Sequence, residues 1–451
     1  MPDWRWVEPA LAAAVVAGII WCAVYLYVHG YLPQPFLYDR SDTYGDWFNT
    51  AGWARDKGSH DSWKSIYPPL SFVFIRLFGI NGCYTNPPGG ELLSHLRACD
   101  GVGVSAIWLI FAINVALVWR TFRKLDPKTA LPRTICVGLG FPMLDAVERG
   151  NLMLITFTCL ILALGPLLRS ARLRWLFAGL AVNFKVYLIA AFVPLLLKRR
   201  WRWVEGALIA VVLVYMFSYA ILGRGTPAEI VRNIIQFSNG AIYSIMDIWH
   251  GTNYRPLLSL MSEGNFPFTL LIGSKNVDII LFVIPLLQRL VQLLIIVAAG
   301  AVWLRPEAVS SFRVVSLGLL LAMVTSDAGL YSMAYFMLFV MMEPWRGVGR
   351  RWAIVACYIL ALPLDIRIDA LPATPQNLYF GNLRALVDNY VVVGPFVRPL
   401  IVMMVAVALS LTTIREVWMD VRLQGWAGRW RLRRDAPLLP GVRRPEPRGV
   451  E

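Results

Sequence analysis

Several apolar runs in this chain approach the length of about 20 residues that an α-helix needs to cross a lipid bilayer. The clearest of these runs are residues 9–28, 101–119, 203–222, 277–303 and 391–413. Charged residues make up only 16% of the chain, whereas soluble domains usually contain roughly 25%. These features predict an all-α, polytopic membrane domain rather than a string of soluble domains.

The net charge of +15 does not indicate nucleic-acid binding, because the basic residues follow a membrane pattern. Most of the 43 lysine and arginine residues lie in clusters that follow or separate apolar runs, as the positive-inside rule describes. The clusters are at 120–133, 169–174, 198–202, 305–313, 346–351 and after 415. We assign them to the cytoplasmic side and expect membrane lipids, not nucleic acid, as their partners.

This assignment predicts a transmembrane domain at residues 1–414 with about 11–13 membrane passages, some of them short hairpins or re-entrant helices. Its external loops are at 29–100 and 223–276. The first apolar run is interpreted as a retained helix, because no obvious small-x-small cleavage site follows it. Residues 415–451 form a basic cytoplasmic tail that we predict to be partly an interfacial helix and partly disordered.

The segment at 175–197 lies between two basic clusters that should both face the cytoplasm. Both can do so only if the segment is a hairpin with its outer tip near Lys185. The alternative is one full crossing in which a basic loop breaks the charge rule. We favour the hairpin, because a single crossing would place the Lys185 ammonium near the bilayer centre, where a charge is costly. Residues 314–326 and 330–343 form a similar predicted pair, with Asp327 at its tip.

Two of the six cysteines, Cys83 and Cys99, lie in a polar stretch, whereas the other four lie in or near apolar runs. If the polar stretch is external, the environment permits a disulfide between them. Closing a loop of this size would contribute roughly 3 kcal/mol of stability in the chain-entropy model. Two unpaired thiols are the alternative.

Charged side chains lie directly beside an apolar run in the stretch LDAVERGNLMLITF, which contains Asp145, Glu148, Arg149 and Asn151. Such charges are costly unless they pair, face water or act on a ligand. Arg149 and Lys185 could hold a phosphate at the lipid boundary. Pairing of these cations with Asp145, Glu148 or another acid is the alternative. For Asn151, the alternative is a helix cap.

Asp42 and Asp46 lie four residues apart in the first external loop, so on a helix they would share one face. Neighbouring carboxylates can raise the pKa of one of them, which makes it a better proton acceptor near neutral pH. An exposed acidic loop or a helix N-cap is the alternative.

Three further candidates follow from their positions. Tyr67 precedes two prolines and opens a short apolar run at 66–80, which we predict to dip into the membrane and remain external. His250 and Arg255 lie on the second external loop, where binding residues are more common than on packed helices.

Known cofactor motifs are absent from the sequence. It contains no Walker loop, Rossmann fingerprint, HExxH motif or zinc-type Cys/His spacing. The four histidines are scattered, so we predict no metal site built from histidine. No Asp-x-Asp motif for a nucleotide sugar is present. We expect no cofactor, although a divalent cation at the acidic loop remains an open alternative.

Four motifs in order, DTYGDWFN, SIYPPLSFVFIRLFG, ERGN and NFKVYLIAAFVPLLLKRRWR, resemble the GT-C superfamily of membrane glycosyltransferases. They are most similar to the bacterial glycosyltransferase family 87-like proteins, which include polyprenol-phosphate-mannose-dependent mannosyltransferases. The similarity spans about residues 38–205. It implies transfer of mannose, or a similar hexose or pentose, from a polyprenyl-phosphate donor to a glycolipid or polysaccharide acceptor. The reaction would take place at the outer face of the bacterial inner membrane, in cell-envelope polysaccharide biosynthesis.

The resemblance also implies roles for individual residues. Asp46 matches the aspartate of the family's Asp-aromatic motif and would act as the general base, with Asp42 beside it as a second catalytic candidate. The candidates for binding the donor phosphate are Lys185, Arg149 and Arg255. The candidates for other substrate contacts are Glu148, Asn151, Tyr67, Tyr187 and His250.

Three other functions remain open. A lipid-linked oligosaccharide flippase or transporter would also have many passages, but the sequence has no convincing internal repeat and its polar groups gather at one face. A polysaccharide polymerase or ligase would use a lipid-pyrophosphate oligosaccharide. A catalytically inactive assembly subunit would have the same membrane topology but no transferase activity.

Overall fold

The computed structural model describes residues 6–36, 42–84, 92–240, 248, 250–263, 268–326, 328–378 and 384–425. In these residues the chain is predominantly α-helical, with one two-stranded sheet. The first helices are α1 (Val7–His29), α2 (Gly45–Arg55), α3 (Pro69–Leu77), α4 (Leu92–Cys99), α5 (Gly101–Leu125), α6 (Ala130–Gly138), α7 (Phe141–Glu148), α8 (Met153–Leu164), α9 (Ala171–Phe184) and α10 (Ile189–Phe192). The later helices are α11 (Trp201–Leu222), α12 (Pro227–Gly240), α13 (Arg255–Glu263), α14 (Phe268–Ile272), α15 (Ser274–Leu304), α16 (Ser311–Thr325), α17 (Met333–Val340), α18 (Val348–Ala361) and α19 (Gly394–Gln424).

Six helical stretches in the described residues are long and apolar enough to cross a membrane. They are α1, α5, the pair α6–α7, α11, α15 and α19. Shorter apolar stretches are Met153–Leu164, Val186–Leu196, Ser311–Thr325 and Leu330–Val340. The prediction of a polytopic, predominantly helical membrane protein is therefore confirmed.

The membrane helices differ in how much of their surface the protein itself covers. The most apolar window of α6–α7 is 78% buried, whereas those of α11 and α15 are 17% and 11% buried. The apolar side chains that α11 and α15 expose are suited to lipid, since a soluble helix normally has a polar outer face. The α6–α7 pair is thus the centre of the bundle.

One end of this centre is fixed by buried ion pairs. Arg133 of α6 donates to both carboxylate oxygens of Glu8, at 2.8 Å each. Arg313 of α16 donates to Glu343 at 2.8 and 2.6 Å and to Glu416 at 3.3 Å. Buried charges are tolerated when they are paired in this way. The contacts join α1, α6, α16 and α19 at the end where the predicted cytoplasmic basic clusters lie.

The chain reverses direction at Lys185. Helix α9 ends at Phe184, Lys185 adopts an extended backbone, and short helical turns follow through α10. On one arm Arg174 donates to the carbonyl of Gly165, and on the other Lys198 contacts the carbonyl of Val309. Both arms therefore lead back to the basic end, as the predicted hairpin requires.

The strands β1 (Arg367–Asn377) and β2 (Arg384–Val392) form an antiparallel hairpin that the all-α prediction does not contain. Prolines 372 and 375 lie within β1. Proline is tolerated there because a two-stranded sheet consists of edge strands only. Because proline is rare within strands, the sequence did not predict a strand here.

Two other predictions concern the ends of elements. The boundary predicted at residue 414 falls inside α19, which continues to Gln424. The tail at 426–451, with its predicted interfacial helix and disorder, lies outside the described residues, as does Asp327.

Cys83 and Cys99 form a disulfide with a Cα–Cα distance of 5.8 Å. The other four cysteines are buried and free. Asp100 follows the bridge and caps α5, since its Oδ1 accepts from the backbone N–H of Gly103 at 3.0 Å. Its Oδ2 accepts from the Tyr84 hydroxyl at 2.6 Å. The bridge and the cap together fix the start of a membrane helix.

Candidate functional site

The start of α2 is held against the end of α7 by main-chain hydrogen bonds. The N–H of Tyr44 donates to the carbonyl of Glu148 at 2.7 Å, and that of Asp46 donates to the carbonyl of Arg149 at 3.1 Å. Gly150 has φ +61°, and a Cβ there would lie 3.1 Å from the Tyr44 Cα. The ERGN motif therefore needs glycine for both its backbone conformation and its close approach to the first loop.

The Asp46 carboxylate is held by the two polar residues around Gly150. Arg149 donates from Nε to Oδ2 at 3.1 Å and from Nη2 to Oδ1 at 3.2 Å. Asn151 donates from Nδ2 to Oδ2 at 2.6 Å, and its Oδ1 accepts from the N–H of Met153 at 2.8 Å. Asn151 thus accepts from the first backbone N–H of α8 and also orients the carboxylate. Asp46 and Arg149 each keep 23% side-chain exposure, so a ligand can reach the pair.

The charges around Asp46 set its ionisation state. Burial alone would raise its pKa, but Arg149, Asn151 and Lys185 together hold the pKa below the ordinary value. Asp46 is therefore not the member of the Asp42/Asp46 pair whose pKa is raised. Asp42 does not share a helix face with Asp46, because α2 begins only at Gly45. Its Oδ2 lies 3.9 Å from Arg149 Nη1, on the other side of the guanidinium.

Lys185 points into a cage of tyrosine rings. Its Nζ lies 5.0 Å from the ring centroid of Tyr331, 5.8 Å from that of Tyr67 and 5.9 Å from that of Tyr187. The residue is 7% exposed, and no described residue offers Nζ a hydrogen-bond acceptor. Burial lowers its pKa to about 8, although nearby Asp46 acts in the opposite direction. A buried ammonium with unused donors is suited to an anionic ligand.

The cage is anchored from behind by hydroxyl contacts. The hydroxyls of Tyr187 and Ser332 lie 3.0 Å apart. The hydroxyls of Tyr335 and Thr156 lie 2.7 Å apart. Tyr67 and Tyr187 are among the residues predicted from the sequence. Tyr331 is not, because it lies in an apolar stretch where a tyrosine looks like any core residue.

A second group of buried polar side chains lies behind the ion pair. Asp145 is 1% exposed, and neither of its carboxylate oxygens has a hydrogen-bond partner among the described residues. His250 Nδ1 and Arg398 Nη1 are also buried and have no hydrogen-bond partner among the described residues. The Nη2 of Arg398 pairs with Asp365. Burial, reinforced by the positive charges of Arg149 and Arg398, lowers the pKa of His250 to about 3. His250 is therefore neutral at physiological pH.

The remaining predicted residues lie outside the immediate contacts of Asp46. Arg255 begins α13, where its backbone N–H donates to Asn253 Oδ1 at 2.9 Å. Glu148 is 6% exposed and contributes its carbonyl to the contact with Tyr44. The alternative that Arg149 pairs with an acid therefore holds, but its printed partners are Asp46 and Asp42 rather than Glu148 or Asp145.

Arg398 and Asp365 are not among the residues predicted from the sequence. The signal available for Arg398 was a charge inside the apolar run at 391–413. Among the residues that the structure describes, no three His, Cys, Asp or Glu side chains are grouped as metal ligands.

The fold and this cluster define a multi-pass helical membrane protein with a charged site at one end of its central helices. No protein-family model, curated protein or solved structure matches the chain. The likeness to the GT-C superfamily therefore rests on the sequence motifs alone.

Proposed function

We propose that this protein is a GT-C-type membrane glycosyltransferase with about 11–13 membrane passages. It moves mannose, or a similar hexose or pentose, from a polyprenyl-phosphate donor to a glycolipid or polysaccharide acceptor at the outer face of the bacterial cytoplasmic membrane. One observation carries the proposal. The buried Lys185 ammonium has no hydrogen-bond acceptor among the described residues and lies beside an ion pair that remains accessible.

The donor phosphate binds between Lys185 and the outer side of Arg149. Lys185 supplies three N–H donors and a positive charge, and Arg149 supplies planar N–H donors suited to phosphate oxygens. In the transition state the bond between the sugar C1 and the phosphate oxygen breaks, and its electron pair stays on the phosphate. Fixed cations stabilise this developing charge without reorganisation. The polyprenyl chain remains in the adjacent hydrocarbon.

Asp46 accepts the proton of the acceptor hydroxyl as that oxygen attacks C1. Arg149 and Asn151 hold the carboxylate in one orientation, which favours reaction by positioning. The low pKa of Asp46 in the free site makes it a weak base. A bound phosphate offsets the charges of Arg149 and Lys185, which raises the pKa of Asp46 and strengthens the base when the donor is present.

The test is sugar transfer in proteoliposomes with a panel of polyprenyl-phosphate sugars and glycan acceptors. Donors are first selected by their thermal stabilisation of the purified protein, which follows affinity. Asp46→Asn should abolish transfer while retaining expression and donor-induced stabilisation. Asp278→Asn, which changes an exposed carboxylate at the start of α15, is the matched control and should keep full activity.

Turnover at the wild-type rate by Asp46→Asn would refute the role of Asp46 as general base. Movement of the lipid donor across the bilayer without a new glycosidic bond would instead identify a flippase. Transfer that occurs only from lipid-pyrophosphate oligosaccharides would identify a polymerase or ligase.

A further inference from the structure

A half-exposed stripe runs along α2 away from the candidate base. Asp46, Asn49, Gly52 and Trp53 are all half-buried, although their neighbours on the helix are mostly buried. Asp46 and Trp53 are seven residues apart, so they lie on the same face about 10 Å from each other along the axis. A Cβ at Gly52 would meet no atom within 4 Å in the described part of the chain. As far as the described residues go, the stripe therefore borders open space.

The stripe ends at a pair of stacked tryptophans. The rings of Trp53 and Trp63 lie 6.0 Å apart with an interplanar angle of 24°. Trp63 is 52% exposed, and its Nε1–H donates to Asp56 Oδ2 at 2.6 Å. The indole is thus oriented by a carboxylate while much of its surface remains accessible. We call Trp53 and Trp63 the tryptophan platform.

The loop that carries Trp63 is fixed in place. Ser59 and His60 are 0% and 4% exposed, and Asn233 of α12 donates to the carbonyls of His60 and Ser65 at 2.8 and 3.0 Å. The Ser65 hydroxyl in turn accepts from the backbone N–H of Tyr67 at 3.2 Å. The tryptophan platform is therefore attached to the site on both sides, through α2 and through Tyr67.

The surroundings of Trp63 favour a polar ligand over the membrane. The exposed residues of this loop include Asp56, Lys57, Asp61 and Lys64. Charges of both signs around an indole oppose its insertion into hydrocarbon. They suit a ligand with many hydroxyl groups, because carboxylates accept and ammonium groups donate hydrogen bonds. An aromatic ring at the same place packs against the apolar faces of sugar rings.

We propose that the tryptophan platform and the stripe bind the acceptor as a glycan of several sugar units. Its growing end lies at Asp46, and its earlier units lie along Gly52 against Trp53 and Trp63. This inference rests on the proposed function and specifies its acceptor: the protein extends an existing chain rather than adding the first sugar to a lipid.

The test is isothermal titration of the full-length protein in nanodiscs, without donor, with linear oligosaccharides of one to four mannose, glucose, galactose or arabinose units. Affinity should rise with length for at least one sugar. Trp63→Ala should weaken binding of that tetrasaccharide at least about tenfold, and Trp63→Tyr should retain most of it. Gly52→Leu should fill the open space and also weaken binding. Trp418→Ala, which removes another exposed tryptophan on α19, should have no effect.

Donor-induced thermal stabilisation should be unchanged in the Trp63 and Gly52 variants, which separates this proposal from the proposed function. If oligosaccharide affinity rises with length but Asp46→Asn still transfers sugar, the glycan-binding site would be supported. The role of Asp46 as general base would be refuted. Equal affinity at all lengths, no binding of any oligosaccharide, or insensitivity to both substitutions would overturn the proposal.

Discussion

Asp46 and Lys185 respond differently to pH because one charge is compensated and the other is not. The contacts of Asp46 with Arg149 and Asn151 keep its pKa below the ordinary value, so the carboxylate stays ionised at and above neutral pH. Lys185 is buried, and its pKa falls to about 8. Just above neutral pH the site therefore loses a cation while its carboxylate stays charged.

Donor affinity should consequently fall as the pH rises through about 8. The donor phosphodiester keeps its negative charge over this range, whereas Lys185 becomes neutral. Lys185 attracts the phosphate only in its protonated form. The Kd of a polyprenyl-phosphate sugar should therefore be about tenfold higher at pH 9 than at pH 7. Fluorescence or calorimetric titrations at a series of pH values would measure this.

Two variants control for other titrating groups. Lys185→Arg keeps its charge throughout and should show no such fall, since guanidinium does not titrate in this range. Lys185→Ala should weaken donor binding more than acceptor binding at pH 7, where the ammonium is charged, and this difference should shrink at pH 9. An unchanged pH profile in Lys185→Arg would show that another group is responsible.

Most of the candidate site was predictable from charges placed beside apolar runs. Arg149, Asn151 and Lys185 stand out because charged or amide side chains are costly there without a role. Asp46 was singled out instead by its spacing from Asp42 and by its match to the GT-C Asp-aromatic motif. Tyr331 did not stand out, since a tyrosine in an apolar stretch is ordinary core composition. Its place in the cage depends on how the chain folds around Lys185, which local sequence does not specify.

At the level of elements, the segment that ends in the Cys83–Cys99 bridge supports the site. Arg97 of α4 donates to the carbonyl of Thr43 at 2.8 Å, just before α2. The bridge links residues 16 apart in sequence and holds the end of α4 against the turn at Asn81–Tyr84. Its loss should therefore loosen the loop that carries Asp42.

Replacing both cysteines by alanine should lower the stability of the protein by roughly 3 kcal/mol, as the chain-entropy model gives for a loop of this size. Thermal unfolding of the detergent-solubilised protein would measure the change. Reductant should lower the midpoint of the wild type and leave the double variant unchanged. Equal midpoints for the two proteins in the absence of reductant would contradict a stabilising bridge.

The elements were predicted unevenly for physical reasons. Helix length and basic flanks locate membrane helices well, because bilayer thickness imposes a fixed minimum length. The reversal at Lys185 followed from the same rule. Bilayer thickness sets no length for the β1–β2 hairpin, whose hydrogen bonds run between two strands. Pro372 and Pro375 also interrupt the alternation of apolar and polar residues that is typical of a strand. Strand pairing of this kind depends on the partner as well as on local sequence.

At the level of the whole molecule, the two ends of the bundle have different chemistry. One end contains the buried pairs of Arg133 and Arg313, and the other contains the Asp46 cluster and the tryptophan platform. The positive-inside rule assigns the first end to the cytoplasm. The orientation in a cell follows from this assignment as a prediction.

Cysteine labelling in spheroplasts would test the orientation. Ser62→Cys, on the exposed loop before Trp63, should react with a membrane-impermeant maleimide in intact spheroplasts. Lys128→Cys, in the exposed basic loop after α5, should react only after permeabilisation. The native cysteines are buried or bonded, so the wild type should give little background. The opposite pattern would reverse the assigned sides.

The main-chain bonds from Tyr44 to Glu148 and from Asp46 to Arg149 separate the position of the site from its chemistry. Replacing a side chain at these positions does not remove the peptide groups that form these bonds. The two segments therefore keep their relative position. If the proposed sugar transfer holds, single substitutions here could change the sugar or leaving group without changing the placement of the two segments. When the backbone keeps its position as side chains change, one architecture can support many specificities.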